Sequence, residues 1–152
     1  LMDDLKFGDN KKWAGIVSLE PPCNIFHEQR DFITPILVLK GGESHYEPKP
    51  CKTMIDLYVS KGTDAELKIF PKSNHFFSHN GKIVKGVAFN GCGDNPVLIG
   101  MNKNLRFLDG SQANRKIVRK KCFTKTGGSG KSREDLKLAI DSSIKFFKSK
   151  LN

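Results

Sequence analysis

Residues 34–48 read TPILVLKGGESHYEP, and this stretch decides how the rest of the chain is interpreted. An apolar run over residues 35–40 is ended by two glycines and a polar loop. A helical pattern follows to Gly62, and residues 65–70, AELKIF, have the composition of a second strand. Continuous apolar runs are typical of parallel strands that are buried on both faces. The segment from Thr34 to His75 therefore predicts one βαβ unit, with polar residues at the carboxyl ends of both strands.

The helix of this unit has clear signals at both ends. Prolines at positions 48 and 50 lie in or before its first turn, where a missing N–H costs nothing. Gly62 is expected to end it in a left-handed conformation. Apolar residues recur at spacings of three and four and predict a core-facing stripe of Cys51, Met54, Ile55 and Tyr58.

Two further elements extend this unit into an α/β sheet. Residues 13–19, WAGIVSL, predict a buried strand ended by two prolines, and residues 22–32 predict an irregular connection. A final helix is predicted from an N-cap at Ser132, with acidic residues in its first turn and lysines near its end. Its apolar stripe is Leu136, Ile140, Ile144, Phe147 and Leu151. The expected fold is α/β, with about three parallel strands at the end of a doubly wound sheet.

Residues 76–131 fit this sheet poorly. Short apolar patches at 83–84, 87–89 and 97–99 stand among glycines and asparagines and predict one or two hairpins. This long excursion is expected to belong to the same single domain, residues 1–152, because the length suits one domain with a core.

The chain is basic, with a formal net charge of +10 and a dense cluster at residues 115–121, RKIVRKK. Such charge favours either a polyanion partner or a solvated surface. Since no nucleic-acid motif or aromatic platform accompanies it, the solvated surface is preferred and nucleic acid is not expected as a partner. No run is long enough to span a bilayer, and residues 1–4 do not resemble a signal peptide.

The four cysteines lack the Cys-x-x-Cys spacing of zinc sites, so no metal is predicted. Cys23 follows one predicted strand and Cys51 opens the helix after its neighbour, while Cys92 and Cys122 bracket one excursion. We predict the pairs Cys23–Cys51 and Cys92–Cys122, in an oxidising compartment such as the periplasm or the exterior. Four buried thiols in a cytosolic protein are the alternative.

His75 is the main candidate for chemistry, because an imidazole in a loop past a strand can act as a general base near neutral pH. Its alternative role is to cap the loop. Glu43 and Glu47 could supply the acid that orients it, or could be ordinary turn residues. No Gly-x-Ser-x-Gly or Gly-x-Cys-x-Gly elbow provides a nucleophile, and Ser129 has no preceding strand. No cofactor motif is present: Lys125 stands where a phosphate loop needs its first glycine.

Residues 34–48 resemble the acid-bearing strand and loop of the dienelactone hydrolases, a branch of the α/β-hydrolase fold. Residues 69–77, IFPKSNHFF, are similar to that family's loop with the catalytic histidine, and residues 13–23 and 132–151 are similar to the flanking strand and the last helix. The resemblance implies that His75 is the triad histidine. The family's aspartate falls on Ser44, which carries no charge, so Glu43 or Glu47 would have to replace it. Phe76 stands where the family has glycine.

The resemblance also implies an ester or lactone as the substrate and a nucleophile on a part of the sheet that precedes residue 13. The expected chain is the carboxyl-terminal half of such a hydrolase, inactive alone. The strand at residues 14–19 would then be an apolar edge, covered by a second copy, by the missing half or by the 76–131 excursion. A binding module that keeps the fold without the triad is the alternative function.

Overall fold

A computed structural model describes residues 13–28, 34–75, 88–89, 92–100, 102–124 and 133–151. In chain order the elements are strands β1 (Ile16–Leu19), β2 (Ile25–His27) and β3 (Ile36–Gly41), helix α1 (Lys49–Ser60), strands β4 (Ala65–Phe70), β5 (Ala88–Phe89), β6 (Val97–Ile99) and β7 (Leu105–Phe107), helix α2 (Arg115–Cys122), strand β8 (Phe123–Thr124) and helix α3 (Arg133–Leu151). The predicted Ser132 cap, Ser129 and its glycine loop, and the apolar patch at 83–84 lie outside the described residues.

Three parallel strands in the order β1-β3-β4 form the central sheet. Ile16 pairs with Ile36, and the β3–β4 register runs from Ile36 opposite Ala65 to Gly41 opposite Phe70. Every residue of β3 is buried, as the apolar run over residues 36–39 indicates for a strand covered on both faces. The predicted βαβ unit and the mixed α/β architecture with a parallel sheet are confirmed.

Helix α1 covers one face of this sheet. Its predicted stripe is confirmed, since Cys51, Met54, Ile55 and Tyr58 are buried in one cluster with apolar residues of β3. Full burial of such a side chain contributes about 1.5–3 kcal/mol, so this face is a large part of the stability. The C-cap residue is Lys61, and Gly62 follows it with the expected positive φ of 86°.

Helix α3 covers the opposite face, and of its predicted apolar stripe Phe147 packs against the core there. Ala139 and Phe146 are buried against Leu37, Leu39 and Phe70 of the sheet. The stripe itself is largely exposed, with Ile140 at 50%, Ile144 at 48% and Leu151 at 70%. Ala139, Phe146 and Phe147 therefore define the side of α3 that faces the sheet, and the predicted stripe describes that side only in part.

The remaining strands form two smaller sheets. β6 lies between β2, to which it is parallel, and β7, to which it is antiparallel, while β5 pairs with β8. The β6–β7 pair confirms a hairpin in the excursion. The segment predicted to be irregular contains β2, whose three residues are too few to show a period and pair with a strand far along the chain. The basic cluster at 115–121 forms most of α2, which Asn114 caps by accepting from the Ile117 N–H at 3.0 Å.

The cysteines pair as predicted. Cys23 and Cys51 lie at disulfide distance, as do Cys92 and Cys122. The first pair joins the segment after β1 to the first turn of α1, and the second joins the end of α2 to the segment before β6. None of the helices within the described ranges combines the length and the apolar character needed to cross a bilayer.

Candidate functional site

Four polar side chains meet at the carboxyl ends of the three parallel strands. Glu20 follows β1, Lys40 and Ser44 come from the end of β3 and the loop after it, and His75 follows β4. All four are buried. Polar groups are buried at this depth only when they bind one another, so the contacts among them decide what the site can do.

The carboxylate of Glu20 is the centre of this cluster. Its Oε1 accepts a hydrogen bond from the Gly41 N–H at 2.7 Å. Its Oε2 lies 3.3 Å from Lys40 Nζ and 3.1 Å from His75 Nδ1. An ammonium and a backbone donor both favour the ionised carboxylate, so Glu20 can only accept hydrogen bonds.

The backbone at Glu20 adopts an uncommon conformation to make these contacts. Its φ is +55°, in the left-handed region that residues with a Cβ avoid. Its own N–H still donates to the Leu39 carbonyl at 2.9 Å, which continues the β1–β3 ladder by one residue. The chain therefore turns inward directly after β1, and the side chain enters the space between the strand ends.

Two glycines allow the loop after β3 to lie against the loop after β4. A Cβ on Gly41 would be 2.6 Å from the Ser73 carbonyl oxygen and 2.9 Å from Glu20 Oε1. A Cβ on Gly42 would be 2.6 Å from the Pro71 carbonyl oxygen. The Glu43 N–H donates to the Ser73 carbonyl at 2.9 Å. The Gly-Gly pair is thus needed for His75 to reach the cluster.

The Nδ1 atom of His75 has two oxygen neighbours, and they determine its tautomer. Ser44 Oγ lies 3.2 Å from it and Glu20 Oε2 lies 3.1 Å from it. Because the carboxylate cannot donate, Nδ1 carries the proton, and the lone pair of the neutral ring is on Nε2. Ser44 contacts the same nitrogen as the acid, so it is not placed as a nucleophile, which would need the other nitrogen.

Lys40 is the fourth member and is fully buried, at 0% exposure. Besides Glu20, its ammonium donates to the Pro21 carbonyl at 3.1 Å and lies 5.6 Å from the centre of the Tyr46 ring. Burial lowers the pKa of Lys40, while the Glu20 carboxylate opposes that shift. The cluster therefore places an ammonium and the imidazole of His75 against the same carboxylate.

Two aromatic side chains of the loop after β3 cover His75. The His45 ring is 4.4 Å from the His75 ring and the Tyr46 ring is 5.0 Å from it, centre to centre. Partial burial lowers the pKa of His45, and the charges of His75 and Lys40 act in the same direction. The two rings cover the imidazole of His75 on one side.

Ser73 connects this loop to α3. Its hydroxyl donates to the carboxylate of Asp135 in the first turn of that helix. The helix on the far face of the sheet therefore also fixes the segment that carries His75.

Of the residues proposed from sequence, the structure brings Ser44 and His75 together but places Glu43 and Glu47 elsewhere. The Glu43 side chain is exposed. The Glu47 carboxylate accepts from the Gly93 backbone, and partial burial raises its pKa. The acid at His75 Nδ1 is Glu20 instead. Its signal in the sequence was its position directly after the first predicted strand, at the same sheet edge.

Comparison with protein-family models, curated proteins and solved structures finds no significant match to this chain. Within the ranges described above, no group of three or more His, Cys, Asp or Glu side chains is arranged to hold a metal ion.

Proposed function

We propose that this chain is the histidine- and acid-bearing part of an α/β hydrolase that cleaves ester or lactone bonds through a covalent acyl intermediate. The observation that supports this most is the buried contact of 3.1 Å between Glu20 Oε2 and His75 Nδ1. A carboxylate on Nδ1 holds the imidazole in the tautomer whose Nε2 can take a proton from a nucleophile. The resemblance to dienelactone hydrolases at residues 34–48 and 69–77 points to the same chemistry.

In this proposal His75 is the general base and Glu20 orients it. Glu20 takes the part that the resemblance assigns to position 44, where serine cannot carry charge. The acid would then come from the end of β1 instead of the end of β3, the neighbouring strand. Both strands end at the same edge of the sheet, so either can supply a carboxylate to the same imidazole.

The nucleophile would come from a polypeptide segment outside these 152 residues, because the sequence has no nucleophile elbow. β1 lies at the edge of the described central sheet, and Leu19 at its end is 50% exposed. Leu19 lines one apolar groove together with Leu136, Ile140, Ile144 and Phe147 of α3. A strand added parallel to β1 would cover this groove and would end beside Glu20 and His75.

Both cysteine pairs at disulfide distance are compatible with an oxidising environment. We extend the proposal to a periplasmic or secreted protein. A small ester or lactone would be its ligand.

Hydrolysis of a p-nitrophenyl ester, together with fluorophosphonate and iodoacetamide labelling, tests the proposal. The 152-residue chain alone should give no turnover above the buffer rate. The native protein that contains it should be active, and peptide mapping should place the label outside residues 1–152. His75→Gln should lower turnover about 10²–10⁴-fold, the usual contribution of a general base. His27→Gln, at an exposed histidine of β2, is the matched control and should leave turnover unchanged.

The other function that one observation favours is a binding module without catalysis. Lys40 neutralises the very carboxylate that would have to stabilise a protonated His75, which weakens the case for a base. A native protein that neither hydrolyses the ester nor takes up either label would support this second function. Turnover by the isolated chain that His75→Gln abolishes would mean that the nucleophile lies within the 152 residues.

A further inference from the structure

The buried ammonium of Lys40 has no role in the proposed reaction, yet it occupies the centre of the site. A lysine without solvent contact is costly unless it is paired, and charged groups are almost never fully buried otherwise. Its two oxygen partners are Glu20 Oε2 at 3.3 Å and the Pro21 carbonyl at 3.1 Å. These partners lie on consecutive residues of the turn after β1.

The end of β3 holds that turn at several points. Leu39 accepts from the Glu20 N–H, Lys40 binds the side chain and the next carbonyl, and Gly41 donates to the other carboxylate oxygen at 2.7 Å. A left-handed glutamate costs free energy and persists only where its surroundings determine it. The ammonium is the contact that spans both the carboxylate and the Pro21 carbonyl.

The same contact changes the electrostatics of His75. Among the described residues, the charged or titratable groups seen in contact with the imidazole or its carboxylate are Glu20 after β1, Lys40 at the end of β3, and His45 and Tyr46 in the next loop. Lys40 and His75 contact the same carboxylate oxygen, so they compete for one negative charge. A cation this close disfavours a second cation on the ring.

We propose that Lys40 is a positioning residue: it holds Glu20 against His75 Nδ1 and, by sharing that carboxylate, keeps the resting imidazole neutral. This inference rests on the proposed function for its meaning, since a neutral ring is the form that can act as a base. The contacts themselves can be tested without any activity.

The test is an NMR titration of the His75 ring nitrogens in the unsubstituted chain and in Lys40→Met. Removing the ammonium leaves His75 as the only partner of Glu20 Oε2 among the contacts described above. The midpoint of His75 should rise by about 1–3 pH units, which is a tenfold to thousandfold gain in proton affinity. Lys52→Met removes an exposed lysine that pairs with Asp56 on α1 and should leave the midpoint unchanged.

A second variant covers the case in which Lys40→Met leaves an unpaired buried carboxylate and fails to fold. Lys40→Met combined with Glu20→Gln removes both charges, so it should fold, and its His75 midpoint should lie above that of Glu20→Gln alone, which keeps the ammonium beside the ring. The unsubstituted chain provides a test of the Lys40 contact that requires no variant to fold. As His75 takes up its proton, the Lys40 Nζ resonance should shift with the same midpoint.

Unchanged His75 midpoints in the folded variants, or a Lys40 resonance that does not respond to His75, would overturn the role of Lys40. If the His75 midpoint changes as expected but the native protein is inactive, the role of Lys40 stands and only the proposed hydrolase activity is rejected.

Discussion

The two helices that flank the central sheet differ in how completely they are covered. On α1 the whole apolar stripe is buried, and a disulfide ties its first turn to the segment after β1. On α3 only Ala139 and Phe146 are buried deeply, while Ile140 and Ile144 remain about half exposed beside the edge of β1. The apolar stripe of α1 is thus buried entirely by residues of this chain. The α3 face keeps an apolar groove exposed among the described residues, which a further strand would cover under the proposed function.

The largest effect on stability is expected on the face of the sheet that α1 covers. Replacing the first disulfide pair, as Cys23→Ala with Cys51→Ala, frees a loop with a sequence separation of 28 residues. Loop-closure entropy predicts a loss of about 3.5 kcal/mol in the free energy of unfolding, measured in urea.

The matched control, Cys92→Ala with Cys122→Ala, opens a loop of similar length and should cost a similar amount. Only the first pair should also disturb the His75 NMR signals, because it anchors the segment after Glu20. Four free thiols in the denatured, unreduced chain would contradict both pairings.

A pair of isoleucine substitutions compares the two helices directly. Ile55→Ala on α1 removes a buried side chain and should cost about 3 kcal/mol. Ile144→Ala on α3 removes a half-exposed one and should change the stability of the chain by no more than about 0.5 kcal/mol. Urea unfolding measures both values.

The same experiment, repeated over a range of protein concentrations, reports what covers α3. If Ile144→Ala costs as much as Ile55→Ala and the loss depends on concentration, a second copy of the chain occupies the groove. Sedimentation would then show a dimer that Ile144→Ala weakens. If Ile144→Ala lowers the free energy of unfolding by the same amount at every concentration, in a chain that sediments as a monomer, other residues of the same chain cover the α3 face. The two helices would then not differ in how completely they are covered.

The sequence predicted the central unit because its signals are local and strong. β4 lies over the residues that the sequence predicts, and α1 begins directly after Pro48, has Pro50 in its first turn and ends before Gly62. β2 is different, because it exists through pairing with β6, and the Val97 N–H donates to the Asn24 carbonyl where that pairing begins. A three-residue strand made by a partner some 70 positions away has no local signature.

Two of the four clustered residues are among those that the sequence singles out. His75 is predicted from its position in the loop after β4, whereas Ser44 enters only through the resemblance, which places the family's aspartate there. Glu20 follows the other strand of the same sheet, but its direction depends on a left-handed backbone that favours glycine in most sequences. Lys40 was counted as the end of an apolar run. Its burial depends on the carboxylate that β1 supplies, which no pattern within residues 34–48 contains.

The smallest effect concerns Glu47, the acid that the sequence proposed and the structure places away from His75. Partial burial, with Asp94 acting in the same direction, raises the pKa of Glu47, while the Gly93 N–H and Lys49 oppose the shift. A carboxyl with a raised pKa holds its proton more tightly in the folded chain. Its ionised form therefore lowers stability, and this penalty grows as the pH rises from the unfolded value through the folded one.

Glu47→Gln removes that penalty and keeps an oxygen that can accept from Gly93. Its stability at pH 7 should exceed that of the unsubstituted chain by a small margin, and the two should converge at a pH below the unfolded value. Urea midpoints between pH 3 and pH 7 measure this. Glu43→Gln makes the same change of charge at an exposed position and should not show the convergence. A lower urea midpoint for Glu47→Gln at pH 7 would mean that the ionised carboxylate of Glu47 stabilises the folded chain. Glu47 would then again be a candidate for a functional role.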